Sequence, residues 1–250
     1  MSVTFATSCW EQDWNILLKT RFLQNKIQRN QYDFAETVLA INNVNDRPKV
    51  EGYAKKAVAD GVISSYFFVE DCIDEALKYF ELTREALDKA YYYSTHELAS
   101  IYQCKTDYLL FYTGDSYLNH PVNWVATAVA ELEKNPAYKV ANLVWNQKFS
   151  EAKQESTSEL QDFYVGFGFS DQCFLVRTGD FKAPIYNEHH ALSERYPEYG
   201  GETFEKRVDS WMRNHGYLRL TYKHDSYLHV DFPKSALKRR LAKASGKYDQ

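Results

Sequence analysis

The feature that most constrains this chain is an alternation. From Val3 to Val144, short apolar runs suited to a sheet interior alternate with segments of helical spacing. The strand-like runs are Val3–Ser8, Asp33–Ile41, Ile63–Val69, Tyr108–Tyr112 and Tyr138–Val144. Between them, Trp14–Asn25, Val50–Ala59, Asp74–Ala90, Thr95–Gln103 and Val122–Lys134 read as helices. That order predicts an α/β, doubly wound and mostly parallel sheet. Beyond it the pattern is less regular. Ser150–Leu160 is polar enough for an exposed loop, and "FYVGFGFSDQCFLVR" alternates as strand material. Phe204–Asn214 reads as a helix stopped at His215-Gly216, and Leu218–Tyr222 as a last strand. One domain over 1–233, then a basic tail over 234–250, is the expected organisation.

Composition excludes several classes. The four cysteines (Cys9, Cys72, Cys104, Cys173) show neither metal-site spacing nor a disulfide framework, and reduced thiols of a cytoplasmic protein are expected. The opening "MSVTFATSCWEQDW" lacks a basic region followed by an apolar run, and no stretch has the apolar length of a membrane span. The last seventeen residues hold six Lys/Arg and one Asp, so the rest of the chain carries 24 basic against 33 acidic groups. An acidic body argues against nucleic acid as a partner, since phosphate contacts need a basic surface. Leu237, Leu241 and Ala244 share one face of a possible helix in the tail, which suits peripheral contact with an anionic membrane.

In an open α/β sheet, ligands sit outside the carboxyl ends of the strands. Three predicted ends carry polar groups: Thr7-Ser8, Asn42-Asn43 and Gly114-Asp115-Ser116. Together they suggest a site that hydrogen-bonds a polar ligand and holds one metal ion. The glycines at 166 and 168 lack the third glycine of a dinucleotide fingerprint, and no GxxxxGK[ST] occurs.

The order of these features resembles the glycosyltransferases of the GT-A fold, family-2-like enzymes that use nucleotide-diphosphate sugars. "HELASIYQCKTDYLLFYTGDS" resembles the helix and apolar strand that lead into that family's Asp-x-Asp. "YGGETFEKRVDSWMRNHGY" resembles its later acidic motif, and "HDSYLHVDF" its late histidine. The resemblance spans roughly residues 3–232 and rests on the order of the motifs, each weak alone. It implies a nucleotide-binding half over about 1–120 and an acceptor half over about 121–233.

It also implies roles. Thr7, Ser8, Asn42, Asn43, His96, Thr113, Gly114 and Asp115 would bind the nucleotide sugar. Asp115 and His229 would hold a divalent cation, Mn²⁺ or Mg²⁺. Glu202 would be the catalytic carboxylate, with Glu205 one helical turn on. Gly200, Gly201 and Trp211 would meet the acceptor. Two positions depart from the family: the first Asp of Asp-x-Asp is Thr113, and Thr203 follows Glu202 where Glu-Asp is usual. Trp145 and Trp211 suit core packing or stacking on a sugar, and His189-His190 has the wrong spacing for two ligands on one helix face. The expected partners are a nucleotide-diphosphate sugar and a saccharide or lipid-linked acceptor. A sugar nucleotidyltransferase, or a non-catalytic binding protein on the same scaffold, stays open beside the transferase.

Overall fold

The computed structural model describes residues 1–196, 201–230, 232, 233, 235 and 248. Ten strands form one mixed sheet: β1 Val3–Cys9, β2 Glu36–Ile41, β3 Ser65–Phe68, β4 Tyr108–Tyr112, β5 Ser116–Leu118, β6 Tyr138–Trp145, β7 Ser156–Glu159, β8 Phe163–Gly166, β9 Cys173–Arg177 and β10 Leu218–His229. Their spatial order is β3-β2-β1-β4-β9-β6-β10-β8-β7, with β5 pairing β10. The block β3-β2-β1-β4 is parallel. β9 then runs antiparallel between β4 and β6. β6 and β10 resume the common direction.

Among the described residues ten α-helices cover the sheet: α1 Trp14–Leu17, α2 Phe22–Gln28, α3 Arg47–Ala59, α4 Ile73–Tyr79, α5 Arg84–Leu87, α6 Tyr91–Gln103, α7 Trp124–Lys134, α8 Phe149–Gln154, α9 Thr178–Phe181 and α10 Phe204–Asn214. Strand alternation explains how both faces are buried. Leu109 and Phe111 of β4 face α4, α6, α9 and α10 in one core cluster. Tyr108, Leu110 and Tyr112 face α7 in a second. Leu39 and Ile41 of β2 meet α1, α2 and α3 in a third. The fold is thus α/β with helices on both faces, as the alternation predicts.

Four local expectations need correction. The helix expected over Trp14–Asn25 is two, because the Thr20 hydroxyl donates to the Ile16 carbonyl and accepts from the Phe22 N–H, closing one helix and opening the next. Asp74–Ala90 likewise breaks after Tyr79, where Glu81 adopts φ +57°. Ser150–Leu160 is not a loop but α8 followed by edge strand β7. The last strand runs on from Tyr222 to His229 through an irregularity between Tyr222 and Ser226, which carries it to the turn after β4, where His229 pairs with Ser116. The basic tail lies mostly outside the described residues. Among those described, no helix is long and apolar enough to cross a membrane.

Candidate functional site

The carboxyl ends of β1, β2 and β4 converge, and a buried lysine ties two of them together. Lys26 of α2 is 1% exposed. Its Nζ donates to Thr7 Oγ1 at 2.7 Å, to the Thr113 carbonyl at 2.5 Å and to the Gly114 carbonyl at 3.2 Å. An ammonium has three protons, and all three are used. Burial pulls its pKa down to about 7, against the charges of Asp115 and Asp13. Thr7 therefore supports the turn after β4 from beneath. Gly114 is needed for close approach: a Cβ there would stand 2.6 Å from the Ser8 carbonyl oxygen and 2.7 Å from Asp13 Oδ2.

The turn presents Asp115 to β10, where its Oδ2 lies 3.0 Å from His229 Nε2. Burial pushes the Asp115 carboxyl up, but the His229 contact and the Lys26 charge outweigh it and hold the group below its usual range. At the position of the missing first carboxylate, the Thr113 hydroxyl lies 2.7 Å from that of Ser116. Carboxylate and imidazole converging on one point fit a divalent cation completed by a ligand's phosphate oxygens. Among the described residues no group of three or more His, Cys, Asp or Glu could hold one alone.

The other residues expected to bind a nucleotide sugar lie around this edge. Asn42, at the end of β2, is buried with its amide 3.4 Å from Thr95 Oγ1. Asn43 adopts φ +49° and donates its N–H to Glu70. His96, on α6, lies 2.9 Å from Glu97. Burial disfavours its charge, yet the Glu97 carboxylate raises its pKa above the ordinary value.

Beyond Asp115 the edge opens into a cavity of about 470 Å³ between β6, β10, α8 and the first turn of α10. Gln172, just before β9, joins the two regions: its carbonyl accepts from the Thr113 N–H, and its neighbour Asp171 lines the cavity with Glu205. Burial and the Glu97 charge raise Asp171 to about 7. Burial and the Asp171 charge push Glu205 well above the usual carboxylate range. Both carboxyls are thus pushed above the usual carboxylate range, and as close neighbours they titrate as a pair. Trp145 stands 43% exposed among the lining residues, with Lys148 Nζ 4.4 Å from its ring centre.

The acceptor-side expectations are met unevenly. Glu202 points to Lys206, 2.6 Å away, with its side chain 45% exposed, and is not among the lining residues. Gly201 adopts φ +67°, close to Lys89 and Ala90, while Gly200 lies outside the described residues. Trp211 is only 6% exposed and packs against Phe181 and Tyr217, so it belongs to the core and not to the cleft. Sequence reasoning missed Lys26, Asp13 and Asp171. An aspartate among small polar residues at a strand start, as in "FSDQC", is the signal that marked the last.

Asp13 gives this edge a pH dependence. Burial raises its pKa from 3.8 to about 8, against a hydrogen bond from the Trp10 N–H. Between those values the native state keeps a proton that the unfolded chain releases, so this contribution to stability is present below about pH 4 and fades as pH climbs to about 8. Relative to Asp13→Asn, the wild type should therefore lose stability between pH 5 and pH 8. Urea unfolding at both values checks it; an unchanged difference would mean Asp13 is ionised in the native state.

No protein-family model matches the chain, and no curated protein matches its sequence. Solved structures do match in fold. CMP:2-keto-3-deoxy-manno-octonic acid synthetase complexed with CTP aligns over 98% of this chain and 99% of its own, at 13% identity and a TM-score of 0.51. Glucosyl-3-phosphoglycerate synthase from Mycobacterium tuberculosis, with Mn²⁺, UDP and phosphoglyceric acid, aligns over 98% and 77%, at 12% identity and a TM-score of 0.50. GalNAc-T7 with UDP, GalNAc and Mn²⁺ aligns over 93% and 43%, at 11% identity and a TM-score of 0.56. At such identities the likeness establishes the fold, which is of the GT-A type found in these nucleotide-sugar enzymes.

Proposed function

We propose that this GT-A-type chain is a glycosyltransferase: it binds a nucleotide-diphosphate sugar along the ends of β1, β2 and β4 and transfers the sugar to an acceptor in the adjoining cavity. The observation that carries this reading is the continuity of Asp115 and His229 with a cavity holding Asp171 and Glu205, through Thr113 and Gln172. A sugar transfer needs two things: charge stabilisation for a departing diphosphate and a base for an acceptor hydroxyl. The two ends of the cleft offer one each.

Asp115 and His229 would hold Mn²⁺ or Mg²⁺, which when bound would offset the negative charge of the diphosphate. Lys26 contributes through the turn it fixes and through its charge beneath Asp115. Asp171 is the group suited to take the acceptor proton, because it titrates near neutrality where base strength and availability are best balanced. That assignment fits an inverting displacement. Glu202, tied to Lys206, then serves the α10 start rather than the reaction.

Thermal unfolding with a panel of nucleoside diphosphates, each with and without Mn²⁺, tests the donor half. One diphosphate should raise the midpoint in a Mn²⁺-dependent way, by about 2.7 kcal/mol of stabilisation at a hundredfold excess over its Kd. Asp115→Ala should abolish the metal-dependent part. No shift with any nucleotide would overturn the proposal.

The end-to-end alignment with a CTP-binding synthetase favours one second reading, a sugar nucleotidyltransferase. Against it, the loop after β1 (Trp10–Asp13) contains neither the glycines nor the basic residues suited to cradle a triphosphate. Release of pyrophosphate from a nucleoside triphosphate and a sugar phosphate would favour that reading over the transferase.

A further inference from the structure

Two arginines in the cavity wall leave much of their donor capacity unused: Arg195 Nη2 donates to the Tyr196 hydroxyl and Arg219 Nη2 to Glu155, each at 3.3 Å. Arg195 Nη2 and Arg219 Nη1 stand 2.7 Å and 3.0 Å from the place where a Cβ of residue 168 would be. That residue is Gly168, at φ +112°, a conformation and a space that both demand glycine. Two guanidinium groups thus meet over a bare stretch of backbone.

The described carboxylates near them do not satisfy the pair. Glu155 reaches Arg219 at 3.3 Å but Arg195 only at 4.0 Å, and its side chain is 51% exposed. Asp209 stands 4.0 Å from Arg195, with its nearer oxygen, Oδ1, accepting no hydrogen bond among the described residues. Arg219 has only 11% of its side chain exposed, and its Nε likewise has no hydrogen-bond partner among them. A guanidinium presents five donors in a planar fork matched to phosphate or carboxylate, and a structural pair would use more of them.

We infer that Arg195 and Arg219 form an anion subsite for the acceptor, which would carry a phosphate or carboxylate besides the hydroxyl that reacts. This deepens the proposed function and rests on reading the cavity as the acceptor site. The anion would displace Glu155 from Arg219 and engage both forks at once. The reacting hydroxyl would then face Asp171 in the same cavity, with Trp145 at its exposed rim. The phosphate of a soluble metabolite and the headgroup of a lipid-linked acceptor share this chemistry.

The test uses the full chain saturated with the nucleoside diphosphate selected by the donor panel, so that the diphosphate pocket is filled. Binding of glycerol 1-phosphate is measured by calorimetry, with glycerol as the neutral control. Phosphatidylcholine vesicles with and without phosphatidic acid form a second arm. The phosphate monoester should bind and glycerol should not. Arg195→Gln and Arg219→Gln should each weaken binding about tenfold or more. Glu155→Gln should tighten it a few-fold, an effect that a purely structural role for the arginines would not produce.

Binding of the soluble ester alone would assign a soluble acceptor; Arg-dependent binding of phosphatidate vesicles would assign a lipid-borne one. Failure of the ester and of the vesicles to bind would overturn the inference, as would binding indifferent to both arginine substitutions, while the nucleotide shift leaves the proposed function standing. Loss of that nucleotide shift in the wild type would instead overturn the proposed function, and the acceptor role of the subsite with it. Arg195, with 42% of its side chain exposed, can be changed with little risk to folding should Arg219→Gln fail to fold.

Discussion

Lys26→Met is expected to cost about 3–5 kcal/mol of folding stability and to weaken nucleotide binding even where the protein still folds. Methionine nearly matches the lysine stem, so lost volume is a minor term. What is lost is the ammonium that serves Thr7 Oγ1 and the carbonyls of Thr113 and Gly114. Each buried acceptor left without a donor costs about 1–3 kcal/mol. The turn that presents Asp115 would relax, and Asp115 would lose a cation that holds its carboxyl low. Urea unfolding gives the first quantity and nucleotide titration the second. A loss under about 1 kcal/mol would mean that water or a shifted main chain serves those carbonyls equally well.

Asp171→Asn should lower kcat by about 10²–10⁴ with the donor selected by the nucleotide panel, and should leave nucleotide affinity within a few-fold. The amide keeps the shape of the carboxylate and cannot take a proton. In the wild type, the acid limb of the rate profile should fall with an apparent pKa near the value of about 7 that burial and Glu97 impose. Glu205 is a poor substitute, because burial, the largest cause of its raised pKa, persists when the Asp171 charge is removed. Glu202→Gln, made beside it, should change kcat less than threefold, since its carboxylate is occupied by Lys206 and half in solvent. Full activity of Asp171→Asn with loss in Glu202→Gln would return the base to the position that the sequence motif suggests.

How much of this was legible beforehand depends on the range of the interaction that decides each feature. Tyr108–Tyr112 and Phe204–Asn214 were readable to the residue, because an apolar run or a helical period is written locally and punctuated by Gly114 and by His215-Gly216. The long predicted helices over 14–25 and 74–90 failed at Thr20 and Glu81, where a side-chain hydrogen bond or a positive φ overrides composition. The donor edge could be listed from its strand ends, but Lys26 could not. On α2 it reads as an ordinary solvated lysine, and only packing shows that it sits beneath the sheet edge.

The sequence by itself determined the α/β class, the parallel block and the polar strand ends where a ligand would meet it, since each follows from periodicity and turn chemistry within a few residues. Tertiary structure alone decided which carboxylates share the cleft. Asp171 precedes a strand, and in a parallel sheet that places a residue at the end away from the ligand edge. β9 runs antiparallel between β4 and β6, so its beginning lies at the carboxyl ends of its neighbours and brings Asp171 beside the Thr113 turn. Strand direction is set by pairing partners far apart in the chain, and no local pattern records it.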